Sequence, residues 1–305
     1  MSPDSAPDVS LCIVSWNVAD DLRVCLESLR DQQNPPRFET IVVDNASSDE
    51  TVAMLGRDFP EVRLVANDDN RGFAGGSNQG LRMGAGRYLM LLNPDTILPP
   101  DALATLVAVA DAHPEAGVVA PKLLNTDGSL QPSCRRFPTI TAALYRNTLF
   151  GRLLPGARAA SHYIMEDFDH DVEREVDGIS GACMMVRREA LETVGELDEG
   201  FPWGSEDVDF CLRMSQADWP VLYTPATAIV HAIGRSSSQA VVPTIVRSHR
   251  GMYHLYAKHF ARNPVSRGLV WLGVWLRAGL LITSWRVWQA RVAIRSLFRR
   301  PGGGG

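Results

Sequence analysis

The chain has 305 residues, 45% of them apolar, enough to bury one large α/β domain with an appendage. Its five cysteines, Cys12, Cys25, Cys134, Cys183 and Cys211, form no CxxC pair, which argues against a disulfide framework or a cysteine zinc site and predicts buried free thiols. The net charge of −5 divides sharply, because residues 219–305 hold twelve basic and no acidic residues and the first 218 therefore carry −17.

That division predicts that the C-terminal part meets an anionic surface or ligand, against the alternative of a basic flank paired with the acidic domain in cis. The N-terminus, MSPDSAPDVS, has no basic n-region and no leading apolar run, so no secretory signal is expected. The closing Pro301-Gly-Gly-Gly-Gly reads as a flexible tail.

In chain order, Val9–Trp16 reads as a buried strand. The next segment places Leu22, Val24, Cys25, Leu26 and Leu29 near helical spacing, with Asp20 as its expected N-cap. Phe38–Asp44 is a second strand, Asp49–Phe59 a helix, Val62–Ala66 a third strand, Ala74–Ala85 a glycine-spaced helix and Arg87–Leu92 a fourth strand. Pro99-Pro100 opens a helix over Asp101–Ala112, and Val118–Ala120 is a short strand. NTDG (125–128) reads as a turn between short strands, and 139–175 as an excursion. Val176–Arg187 reads as one strand with small residues at its centre, Ser205–Ala217 as a helix and Val221–Tyr223 as a strand.

Strands alternating with helices predict a parallel sheet covered on both faces, and such sheets bind ligands beyond the carboxyl ends of their strands. The polar clusters SWN (15–17), DNASSD (44–49), NDDNRG (67–72) and NPD (93–95) all follow strands, so they should converge on one edge.

Four motifs carry chemistry. In VVDNASSD, Asp44 either accepts hydrogen bonds from a base or ribose, or caps the next helix. In NRGFAGGSNQG, the glycines either let backbone approach an anion or let a helix pack tightly; neither GK[ST] nor GxGxxG is present. LLNPD delivers Asn93 and Asp95 to the sheet edge, where oxygen ligands suit Mg²⁺ or Mn²⁺, unless the segment is only an Asx-Pro turn. SEDVD crowds Glu206, Asp207 and Asp209 into the start of one helix, more acids than capping needs, and neighbouring charges raise a carboxylate's proton affinity as a general base requires.

The ordered set VSWN, VVDNASSD, NRGFAGGSNQG, LLNPD, GACMMVRREAL–GELDEGF, SEDVD and HAIGRSS resembles the family 2 glycosyltransferases over roughly residues 9–235, nearest their bacterial rhamnosyltransferase-like branch. The resemblance implies a GT-A fold: a Rossmann-like, mostly parallel sheet with flanking helices. A catalytic domain over 1–245 is expected, with a donor half about 9–121 and an acceptor half about 122–245. It implies an enzyme that moves a sugar from a nucleotide-diphosphate donor to a glycan or polyprenyl-linked glycan by an inverting, direct displacement. The donor would be dTDP-rhamnose, with a UDP-sugar as the alternative.

By the same resemblance, Asp207 is the general base and Glu206 contacts the acceptor hydroxyl. Val14, Trp16, Asn17, Asp44, Asn70, Gly72, Asn78 and Asn93 would surround the nucleotide, and Trp203 and Gly181 the acceptor. Asn93 stands where the family's metal motif has its first acid, so Asp95 becomes the main anchor for Mg²⁺ or Mn²⁺. His231 would complete the metal shell, against the alternative of a structural histidine.

Residues 246–300 form a basic helical segment with four of the seven tryptophans, Trp271, Trp275, Trp285 and Trp288, set among arginines. Within it, 268–285 is apolar except for Arg277. Tryptophan favours the headgroup level and arginine is drawn to anionic lipid, so a helix lying in the membrane interface is expected. A true span, a packed helix and an oligomer contact are the alternatives. Together these readings place the protein at the cytoplasmic face of the cell membrane. No nucleic-acid partner is expected, because tryptophans in an apolar run suit lipid better than base stacking. The competing functions are a sugar-nucleotide-binding protein without catalysis and a sugar nucleotidyltransferase, whose usual glycine-rich basic loop is replaced here by SWNVADD.

Overall fold

The computed structural model describes residues 6–137, 163–165, 168–232 and 241–298, with side chains to residue 291. Most of the expected 139–175 excursion, the tail 301–305 and residues 233–237 of HAIGRSS lie outside these residues.

The first half alternates β1 (Val9–Ser15), α1 (Ala19–Arg30), β2 (Phe38–Asp44), α2 (Thr51–Asp58), β3 (Arg63–Ala66), α3 (Gly72–Met83) and β4 (Tyr88–Leu92). β5 (Thr96–Ile97), α4 (Ala102–Ala112), β6 (Val118–Leu124), β7 (Leu130–Gln131) and β8 (Cys134–Arg135) follow. The second half contains β9 (Arg174–Val176), β10 (Gly178–Ile179), β11 (Cys183–Arg187), α5 (Arg188–Val194), α6 (Glu206–Gln216) and β12 (Val221–His231). Two long helices close the described chain, α7 (Val241–His259) and α8 (Pro264–Phe298).

The main sheet runs β3-β2-β1-β4-β11-β6-β12-β5. Pairing is parallel from β3 to β4, and β11 then enters antiparallel between β4 and β6. The sheet is therefore parallel where the expected donor half lies and mixed beyond it. The period of two assigns the faces. Val9, Leu11 and Ile13 of β1, with Tyr88, Met90 and Leu92 of β4, pack beneath α1, α2 and α4. Cys12, Leu89 and Leu91 point the other way, toward α3 and α6. All five cysteines are buried free thiols, and burial pushes each pKa upward.

Three expectations change. Asp20 does not cap α1: Val18 holds the N-cap position, and the Ala19 N–H instead donates to Asp49 Oδ2 at 3.0 Å. The strand expected over Val176–Arg187 divides into β9, β10 and β11, because its small residues turn at Ser180–Ala182 instead of pairing. The strand expected over Val221–Tyr223 extends to His231 by a bulge between Thr224 and Ala228, which absorbs Pro225. The 245/246 boundary falls inside α7.

Part of the basic C-terminal segment does pair with the acidic domain in cis. Lys258 Nζ reaches Asp198 Oδ2 at 2.6 Å and Asp209 Oδ1 at 2.8 Å, while His259 Nε2 lies 2.6 Å from Asp209 Oδ1. Phe201, Val208 and Leu255 form a small apolar cluster beside these contacts. α8 folds back on α7, burying Val274 and Ala278.

Candidate active site

The loops after β1, β2 and β3 converge and are tied by their own side chains. Asn17, at φ 53°, accepts from the Ser48 N–H at 2.7 Å through Oδ1, and its own N–H donates to Ser47 Oγ at 2.8 Å. Ser47 in turn donates its N–H and hydroxyl to the Asp44 carboxylate at 2.9 and 2.5 Å. Asn45, of the DNASSD cluster, donates to Gly72 O at 2.9 Å and accepts from Asn67 Nδ2 at 3.0 Å. Asn70 Oδ1 accepts from the Gly72 N–H at 2.9 Å, fixing the start of α3. Asp44 thus caps its own turn with its carboxylate, and Asn17 and Asn70 brace loops.

The glycines of NRGFAGGSNQG divide by position. A Cβ at Gly76 would stand 2.9 Å from Val14 Cγ1, and one at Gly80 would stand 3.0 Å from Cys12 Cβ. These two glycines, one turn apart, let α3 lie directly on β1. Gly72, with φ 73°, begins the helix, where a Cβ would stand 3.9 Å from Pro202 O. Asn78 is buried and holds the loop after α5, donating to Leu197 O and Glu199 Oε1 at 2.9 Å each and accepting from the Leu197 N–H at 3.0 Å. Trp16, just past β1, remains half-buried.

NPD meets HAIGRSS through a strand register. β12 pairs antiparallel with β5, placing His231 opposite Thr96, and the Ala232 N–H donates to Asp95 O at 2.9 Å. His231 Nε2 then lies 3.3 Å from Asp95 Oδ1 and 3.1 Å from Asn93 Nδ2. Gln131 Nε2 donates to Asn125 Oδ1 and to His231 O, each at 3.0 Å, so Gln131 Oε1 faces His231 Nδ1 at 2.7 Å and accepts its proton. That tautomer leaves the Nε2 lone pair directed at the Asp95 side. The histidine and carboxylate side chains are only 9% and 10% exposed.

In that tautomer Nε2 accepts from Asn93 Nδ2, and this nitrogen and the neighbouring Asp95 carboxylate oxygen are ligand types that suit a divalent cation. No set of three His, Cys, Asp or Glu side chains able to hold a metal occurs among the described residues. The pair would therefore need a ligand's oxygens and water to finish a shell, as Mg²⁺ and Mn²⁺ commonly do.

SEDVD separates into distinct environments. Asp209, fully buried, is clamped by Arg213 Nε at 2.9 Å and by Lys258 and His259. Burial pushes its pKa up, but His259, Lys258 and Arg213 outweigh burial and hold it below the usual carboxylate range. It is a structural anion. Glu206 is 8% exposed, and its Oε2 has no hydrogen-bond partner among the described residues. Burial and then the Asp207 charge push its pKa up. Asp207 is half-buried and accepts from the Gly181 N–H at 3.3 Å and the Val208 N–H at 2.8 Å. Desolvation raises its pKa against those bonds and the charge of Arg135.

Gly181 and Ala182 connect the two groups. Gly181 donates to Asp207, and the Ala182 carbonyl accepts from the Asn93 N–H at 2.9 Å. The segment expected to contact acceptor is thus also the support under the carboxylate. Trp203, 41% exposed, sits in the loop before α6, where Gly204 and Ser205 have φ 74° and 78°. α7 crosses that loop closely enough that a Cβ at Gly251 would meet Gly204 O at 2.4 Å.

The family model described as glycosyl transferase family 2 matches residues 10–195. N-acetylglucosaminyl-diphospho-decaprenol L-rhamnosyltransferase of Mycobacterium tuberculosis is 28% identical over 224 residues, covering 70% of this chain and 72% of its own. The low-salt glycan biosynthesis hexosyltransferase Agl10 of Haloferax volcanii is 23% identical over 302 residues, 95% of this chain and 89% of its own. Among solved structures, the mannosyltransferase PcManGT of Pyrobaculum calidifontis, in complex with GDP-Man and Mn²⁺, superposes with a TM-score of 0.57 at 19% identity, covering 96% of this chain and 81% of its own. The likeness identifies the fold as GT-A.

Proposed function

The chain belongs to glycosyl transferase family 2 and is a glycosyltransferase, and on that premise we propose an inverting transfer from a nucleoside-diphosphate sugar to a prenyl-diphosphate-linked glycan. The observation that carries this reading is the joining of two groups by one short segment. Asp207 hangs from Gly181, while Asn93, beside Asp95 and His231, hangs from Ala182.

In this mechanism Asp207 accepts the proton of the acceptor hydroxyl as that oxygen attacks the anomeric carbon and the bond to the donor diphosphate breaks. Its raised proton affinity suits that task. Glu206, buried beside it with Oε2 unpartnered among the described residues, orients the same hydroxyl. Asp95 and His231 would hold Mg²⁺ or Mn²⁺, which when bound neutralises charge on the departing diphosphate. Val14, Trp16, Asp44, Gly72 and Asn93 face the nucleotide, while Asn17, Asn70 and Asn78 shape the loops around it. Trp203 borders the acceptor.

The proposed donor is dTDP-rhamnose; the name of the mycobacterial relative supports rhamnose as the transferred sugar and names a diphospho-decaprenol-linked acceptor. The chain would work at the cytoplasmic membrane face. Pro264–Arg291 is long and apolar enough to cross a membrane, yet its geometry supports lying on one. Val265, Leu269, Leu272, Leu276, Leu280 and Val287 are all exposed, and at 100° per residue they fall within a sector of about 80°. Val274 and Ala278, on the opposite side, pack on α7.

A thermal-shift series of nucleotide sugars with and without Mn²⁺ tests the donor. Metal-dependent stabilisation by dTDP-rhamnose above UDP-sugars is expected, and no response to any nucleotide sugar would remove the reading. Flotation with anionic liposomes tests the membrane assignment: the full chain should float and a chain ending near residue 262 should not.

A further inference from the structure

A cleft of about 470 Å³ opens where α7, α8 and the loop before α6 meet. Its walls combine Arg250 and Tyr253 of α7, Arg267, Trp271 and Trp275 of α8, and Pro202 of the loop. Arg250 and Arg267 are exposed and make no ion pair or side-chain hydrogen bond with a described residue. The acid in the lining, Glu199, is engaged elsewhere, accepting from Asn78 Nδ2 at 2.9 Å and standing 3.8 Å from Arg82. The two indoles lie beside each other, with centroids 6.5 Å apart.

This is a mixed chemistry: two guanidiniums without a described partner stand beside Trp271, Trp275, Tyr253 and Pro202, with His254 and the engaged Glu199 completing the wall. Guanidinium forks match phosphate oxygens, and indole faces suit an unsaturated hydrocarbon chain. Position narrows the ligand further. Pro202 lies just before Glu206 and Asp207, and its carbonyl is 3.9 Å from a Cβ built at Gly72, the start of α3. The cleft's other wall is α8, whose exposed apolar stripe begins at Val265. The cleft thus stands between the carboxylates and the face we assign to lipid.

We propose that this cleft binds the diphosphate and first isoprene units of a prenyl diphosphate, Arg250 and Arg267 taking the phosphates and Trp271 and Trp275 the chain. Under the acceptor reading above, on which this role rests, the cleft holds the lipid end of the acceptor while its sugar reaches Asp207.

The test is binding of farnesyl diphosphate to the full chain, read by tryptophan fluorescence and calorimetry. The wild type should bind it more tightly than farnesol or inorganic pyrophosphate. Arg250→Ala with Arg267→Ala should weaken it by about tenfold or more, with Mn²⁺-dependent nucleotide binding unchanged. Equal affinity in wild type and double variant would overturn the site, as would no binding by a wild type that binds nucleotide. An arginine dependence confined to phosphatidylglycerol vesicles would also overturn it, making the pair a membrane-surface patch. If the arginines govern farnesyl diphosphate binding but no sugar reaches a prenyl-diphosphate-linked glycan, the site stands and the acceptor reading fails.

Discussion

His231 Nε2 lies 3.3 Å from Asp95 Oδ1 because the β5–β12 ladder sets His231 opposite Thr96, one residue beyond Asp95. Gln131 then fixes which nitrogen of the ring faces the carboxylate. If this pair holds the metal, Asp95→Ala should abolish Mn²⁺-dependent nucleotide binding. Gln131→Leu should weaken Mn²⁺ affinity by about 10–100-fold through the lost tautomer control alone. Calorimetric titration of Mn²⁺ with nucleotide present measures both, and wild-type affinity in Gln131→Leu would contradict the ligand role of His231.

Glu206 carries a pH signature. Its folded pKa is raised by burial and by Asp207, so between its unfolded and folded values the native state binds more protons than the unfolded chain. Stability therefore falls as pH rises through that window. Glu206→Gln, which cannot ionise, should flatten this fall and gain more than about 1 kcal/mol at alkaline pH relative to wild type, since a pKa unit is worth ~1.4 kcal/mol. Melting curves from pH 5 to 9 read it; parallel curves for the two proteins would refute the buried-acid assignment.

Asp209 should behave in the opposite way. Removing its partners by Lys258→Met with His259→Leu leaves a buried anion with only Arg213. Losses of this kind cost about 3–5 kcal/mol when an ion pair is fully broken, and somewhat less with one partner retained. A lowered melting temperature and faster proteolysis between α7 and α8 are expected.

Gly76 offers a packing test independent of chemistry. Gly76→Ala places a methyl 2.9 Å from Val14 Cγ1 and should cost about 1–3 kcal/mol by overpacking. Denaturant melts measure it, and an unchanged midpoint would mean that α3 can lift from β1.

The sequence was most legible where periodicity and strand ends coincide. β2 spans Phe38–Asp44, as the apolar run predicts, and the polar clusters after β1, β2 and β3 do converge. It was least legible where partners are distant. Asp95 and His231 meet only through β5 and β12, and Gln131 lies 100 residues from the histidine it orients. SEDVD presents three similar acids, and Arg213 together with the docking of α7 sets Asp209 apart. The α3 glycines illustrate a signal with two meanings: Gly76 and Gly80 serve contact with β1, while Gly72 supplies the positive φ that starts the helix. Pro225 concealed most of β12, because a bulge keeps the strand in the sheet.

The central claim is that Asp207 takes the acceptor's proton, and Asp207→Asn tests it most directly. The amide keeps the side chain's size but cannot serve as a base, so sugar transfer should fall by about 10²–10⁴-fold while Mn²⁺-dependent nucleotide binding stays at the wild-type level. Near-normal turnover by this variant would contradict the account.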